Sequence, residues 1–191
     1  SSAASDVYKR QDESRELFIR LLASGPALLN VWEDIDFIDV PGKLIPEWLG
    51  VRNRPSASAA HRYTIDRHMV EVVTRLGRET PSGGRYDDRH YEALLLAGIL
   101  HDIGKRPGVA NHAAEGARHA TVVVERMGFD RDIVRWVTLL VREHLTLSEF
   151  ATGRNPNDPN VGDDLAGRLD HNPVLLDMLF DLTRADGSSL G

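Results

Sequence analysis

The chain has no cysteine among its 191 residues, which removes disulfides, thiolate zinc sites, iron–sulfur clusters and cysteine nucleophiles together. Any bound metal would have to sit on histidine and carboxylate. A basic excess is missing as well: 23 Lys+Arg stand against 29 Asp+Glu, a net charge of −6, so a phosphate-tracking nucleic-acid surface is not expected. No stretch reaches the roughly 18 to 20 apolar residues of a membrane span, and the N-terminus has no apolar signal-peptide core. The expectation is a cytoplasmic protein with neither nucleic acid nor membrane as partner. Lysine is scarce, and 3 Lys against 20 scattered Arg read as the codon bias of a GC-rich genome rather than as grouped anion contacts. Period-two strands of useful length and internal repeats are absent too.

Helical periodicity is what remains. Residues 1–11 (SSAASDVYKRQ) lack it, and residues 7–11 read like a translated sequencing adapter, so this stretch is set apart as a non-native or disordered end. Helices are predicted over 12–24, stopped by Gly25 and Pro26, and over 27–38. Pro41, Gly42, Pro46, Gly50 and Pro55 then break residues 40–56 into an irregular surface linker anchored by Trp48. The next helix starts at an N-cap Thr64 and carries Ile65, Met69, Val72, Val73 and Leu76, with His68 beside that stripe. Residues 86–103 form the most apolar helix, the expected buried centre, ending in His101 and Asp102. Helices over 112–127 and 130–144 follow, then a loop over 153–162, a short helix and a last one over 173–186. The organisation expected is a linker segment over 12–55 and a helical domain over 56–191 that is cut short at its C-terminus.

The chemistry lies where polar residues interrupt apolar helices. Burying an imidazole and a carboxylate unpartnered at the end of a helix of Leu, Ala and Ile would cost several kcal/mol, and a divalent cation satisfies both His101 and Asp102. A chance pair at a frayed helix end is the bland alternative. His68, on another helix, and Asp186, on the last one, extend the pair to a series of four.

That series resembles the H…HD…D signature of the HD superfamily of metal-dependent phosphohydrolases. More closely, residues 44–49 (LIPEWL), 51–55 (VRNRP), 61–68 (HRYTIDRH), 100–105 (LHDIGK), 143–145 (EHL) and 182–186 (LTRAD) resemble, in order, the central part of the bifunctional PII uridylyltransferase and uridylyl-removing enzymes. The resemblance runs from about residue 12 to the end and implies an all-α HD-domain helical bundle with an N-terminal helical linker. It implies His68, His101, Asp102 and Asp186 as metal ligands, Asp102 and Lys105 as catalytic residues, and Mn2+ or Mg2+, or else Fe or Zn, as the metal. It also implies hydrolysis of a uridylyl group from the PII signalling protein, or of an adenylyl group as in relatives from GC-rich actinobacteria. Glutamine would be the effector of the full-length enzyme, which also holds a nucleotidyltransferase domain and ACT domains. Lys105 has an alternative role as a solvated cation complementing a helix end.

His112 and His144 admit two readings: a second metal or the phosphate, or a helix-start residue and a helix-end cap. The family's pattern has an acid two residues after the first of these histidines, whereas Glu115 follows His112 by three. His61, His90, His119 and His171 are read as surface or structural. The alternatives to the PII-directed hydrolase are an HD phosphohydrolase of a free nucleotide or alarmone, and a non-catalytic regulatory HD module.

Overall fold

A computed structural model describes residues 2–37, 40–53, 64–80, 84–155 and 157–188. The boundary at 55/56, residues 61–63 of the 61–68 block, His61 among them, and the final residues 189–191 lie outside the described residues. Those described form an all-α bundle without a strand: α1 Ser2–Leu22, α2 Ala27–Phe37, α3 Val40–Leu44, a 3-10 helix Pro46–Gly50, α4 Ile65–Glu79, α5 Asp88–Leu100, α6 His112–Arg126, α7 Arg131–Arg142, α8 Thr146–Gly153, α9 Asn160–Arg168 and α10 Pro173–Ser188.

The apolar run predicted as the centre is α5, buried from Ala93 through Leu100. Asp87 starts it by accepting a hydrogen bond from the His90 backbone N–H. The neighbouring helices α4 and α7 pack against it, and α6 packs on α7. Their stripes are those the periodicity marks, with Met69, Val72, Val73 and Leu76 from α4 and Ile133, Val137, Leu140 and Val141 from α7 inside one cluster.

Several local expectations change. Residues 2–11 are helical, continuing α1 rather than trailing as a disordered end. Ala, Lys, Arg and Gln propagate a helix already nucleated by the residues that follow at one hydrogen bond per residue, and the stretch buries nothing; Phe18 and Leu22 anchor α1. The described part of the linker is not irregular throughout: α3 and the 3-10 helix occupy its residues 40–44 and 46–50, and Ile45, Trp48 and Val51 enter the common core, Trp48 with its ring 5.3 Å from that of Trp32. Spacing by Pro and Gly hid these two short helices, each only five residues long. Thr64 stands at the N-cap of α4 without a side-chain cap bond, its hydroxyl donating to Asp66 instead. Beyond α7, residues 146–153 form α8, a separate helix that the sequence reading left unassigned, and α9 begins at Asn160, inside the predicted loop.

Candidate metal centre

Four helix ends and one helix flank build the site. His68 projects from the first half of α4, His101 caps the C-terminus of α5 with Asp102 in the turn after it, His112 opens α6, His144 follows α7, and Asp186 lies near the end of α10. Their side chains meet although up to 118 residues separate them. Nε2 of His68 lies 2.7 Å from Asp186 Oδ1 and 3.3 Å from Nε2 of His101, which is 3.5 Å from the same oxygen. On the other side, Asp102 Oδ1 is 3.3 Å from His144 Nε2 and 3.8 Å from His112 Nε2.

The six residues form two groups, His68–His101–Asp186 and Asp102–His112–His144, within each of which the ligand atoms lie inside 4.8 Å of one another. Asp102 joins them. Its second oxygen, Oδ2, is 3.5 Å from His101 Nε2 and 3.7 Å from His68 Nε2, so one buried carboxylate faces both groups. Either group could hold a divalent cation. The four residues expected as a single ligand set are brought together, along with the two histidines whose role was open.

Local backbone chemistry explains why the imidazoles point inward. The last carbonyls of a helix lack intrahelical partners, and two of these histidines supply them: Nδ1 of His101 donates to Gly98 O at 2.8 Å and Nδ1 of His144 to Val141 O at 2.7 Å. Each ring, anchored in this way, turns Nε2 to the cluster, where a bound metal would take that nitrogen's lone pair. Nε2 of His112 and of His144 is buried without a hydrogen bond, an arrangement that costs about 1–3 kcal/mol per group unless a ligand completes it. These orphaned nitrogens, together with the buried carboxylate between them, fit a metal.

Charge in the cluster is strongly coupled. Burial opposes ionisation of Asp102, yet the neighbouring His101, His144 and Lys105 hold its carboxyl well below the usual range. The same contest leaves Asp186 ionised, with His101 and His68 outweighing burial. For His101, burial disfavours the cation but Asp102 and Asp186 prevail and raise it to about 9. His112 goes down, mainly through burial, with His144 and Lys105 acting the same way against Asp102. Lys105 Nζ stands 3.8 Å from Asp102 Oδ2 at the edge of the cluster.

The shifted Glu115 turns away and pairs with Arg118 and His119. His90 stacks on Trp136 with ring centroids 4.0 Å apart, and His171 is exposed, as their structural reading has it. Glu143, quoted in the 143–145 block but given no role there, is buried and held on three sides by Arg142 Nε at 3.0 Å, Thr146 Oγ1 at 3.0 Å and Arg168 Nη1 at 3.1 Å. Its signal was available, a carboxylate beside His144 at the end of an amphipathic stripe.

No protein-family profile matches the chain. It is similar to curated bifunctional uridylyltransferase/uridylyl-removing enzymes: 37% identical to that of Streptomyces coelicolor over 94% of this chain and 21% of the relative. The counterpart in Mycobacterium tuberculosis is 34% identical over 94% and 21%, and that of Caulobacter vibrioides 33% over 96% and 20%. The chain therefore spans about a fifth of the length of these relatives. Among the described residues, no helix is long and apolar enough to cross a membrane.

Proposed function

We propose, for a chain that belongs to the bifunctional uridylyltransferase/uridylyl-removing enzyme family as a segment of it, the hydrolytic part of that chemistry: removal of a uridylyl or adenylyl group from the PII protein by a metal-dependent HD phosphohydrolase. The observation that carries this reading is the paired cluster, in which one buried, ionised Asp102 faces two histidine groups.

A divalent cation bound there would polarise a phosphoryl oxygen and acidify a bound water. His68, His101 and Asp186 would hold it on one side, His112 and His144 on the other, with Asp102 between. A donor set this rich in imidazole suits Mn2+, Fe or Zn better than Mg2+, which prefers oxygen and water. The reaction adds water across the bond between phosphorus and the tyrosyl oxygen: hydroxyl goes to phosphorus, the proton to the phenolic oxygen, and a mononucleotide and the unmodified tyrosine side chain of PII result. Lys105, at the edge of the cluster, balances negative charge gathering on the phosphoryl oxygens. Glutamine control is assigned to parts of the full-length enzyme outside this segment.

The test is mass spectrometry of nucleotidylylated PII incubated with the chain and Mn2+, with metal content measured on the same preparation. The parent chain is expected to bind metal and strip the nucleotide; Asp102→Ala is expected to lose both while keeping its helical circular dichroism. Turnover of free nucleotides but not of modified PII would overturn the PII assignment, and retained metal and turnover in the variant would overturn the mechanism.

A further inference from the structure

Beside the metal cluster a cleft of about 520 Å3 opens between the start of α6 and the α7–α8 junction. It shares His112 with the cluster, and Glu143, in its wall, precedes His144 in the chain. Resting on the hydrolase reading above, we infer that this cleft seats the nucleoside of the modified PII, so that the ester's peptide arm lies outside it.

Size is the first argument. The volume falls within the range of small-ligand pockets and is far too small for a folded partner, whose interface covers roughly 800 Å2 on each side. Lining chemistry is the second. Besides His112 the wall presents the guanidinium groups of Arg142 and Arg168, the hydroxyl of Thr146, and the carboxylates of Glu143 and Glu149. A tyrosine-bearing peptide segment would call for apolar and aromatic surface, whereas nucleobase carbonyls and ribose hydroxyls call for donors and acceptors such as these.

Preorganisation is the third. Glu143 is consumed by the wall itself, receiving Arg142 Nε, Arg168 Nη1 and Thr146 Oγ1. Arg142 is held further by Nη2 donating to Arg168 O, and Arg168 by Nε donating to Asp164 Oδ1 at 3.0 Å and by the Phe150 ring, whose centroid is 5.2 Å away. These bonds leave Nη1 of Arg142 and Nη2 of Arg168 for a planar acceptor, and the guanidinium planes are fixed before it arrives. Exposed Glu149 provides the acceptor suited to a ribose diol.

Two substrates separate the arms: uridine 5′-(p-nitrophenyl phosphate), which carries a nucleoside, and bis(p-nitrophenyl) phosphate, which carries none, both with Mn2+. In Arg142→Ala and Glu149→Ala, KM for the uridine ester is expected to rise about tenfold, the loss of one hydrogen bond to a charged group, with kcat kept. The nucleoside-free ester should be unaffected. Calorimetric binding of UMP to the chain should weaken by the same factor. The adenosine ester run alongside reports which base the wall prefers. Equal losses on both esters, or none on either with UMP binding unchanged, would overturn the nucleoside assignment alone. Failure of the parent chain to cleave either ester would overturn the hydrolase reading, and the inference with it.

Discussion

Replacing Gly104 by Ala would test how the cluster is assembled, because this glycine lies where the turn after Asp102 meets the start of α6. A Cβ added there would stand 2.3 Å from Gly116 N, 2.5 Å from His112 O and 2.7 Å from Gly116 Cα, against the 3.4 Å at which ordinary contact begins. All three atoms are backbone, so no side chain can swing aside. The turn or the helix must retreat by about 1 Å, and overpacking of this kind costs about 1–3 kcal/mol. For a chain of this size each kcal/mol lowers the thermal midpoint by about 2–4 °C. The retreat also carries His112 with it, and metal–ligand distances tolerate only about 0.2 Å. Gly104→Ala should therefore melt several degrees lower and lose affinity at Asp102–His112–His144 more than at His68–His101–Asp186. Differential scanning calorimetry and Mn2+ titration of the same preparation measure both effects. A midpoint within about one degree of the parent, with unaltered metal stoichiometry, would refute the reasoning.

His144→Ala removes two things at once, since Nδ1 bonds Val141 O while Nε2 faces Asp102. Turnover should fall by about 10² or more and stability by roughly 0.5–1.5 kcal/mol; unchanged turnover per folded molecule would reduce the residue to a helix-end cap. Asp130→Ala removes the N-cap of α7, where the carboxylate accepts from the backbone N–H groups of Asp132 and Ile133, and should cost about 1 kcal/mol. The Arg89 hydrogen bond, ahead of burial acting the other way, holds the Asp130 carboxyl below its usual range. A depressed native pKa means stability that is complete above the unfolded value of about 3.9 and lost as pH falls through the native one. Urea unfolding should accordingly show the parent's advantage at pH 7 shrinking below about pH 4.

Long amphipathic stripes such as those of α4 and α7 were legible because one buried face imposes its period over three or four turns. The 3-10 helix at Trp48 and the separate α8 were not, since five to eight residues hold too few turns for a period to emerge. For the site, His68, His101, Asp102 and Asp186 stood out as polar residues in apolar settings. What sequence could not express was the division of labour among them: Asp102 sends one oxygen to each group, a property of a side-chain torsion rather than of spacing. Glu115, whose offset from His112 departs from the family's pattern, is turned by the helix toward Arg118 and away from the cluster, which spacing alone does not express.

The segment over α8 and α9 is fastened differently from the rest of the bundle. Among its described residues only Thr146 and Leu165 are buried, while Arg154 and Arg168 both reach Asp164 and Arg168 continues to Glu143. Attachments made of partly exposed charges weaken as salt shortens the Debye length from about 10 Å at 0.1 M to about 3 Å at 1 M, whereas the apolar contacts under α5 do not. Amide hydrogen exchange would then divide the molecule into a slow central unit and a faster flap, whose opening free energy falls with ionic strength and whose protection the metal cluster's own helices do not share.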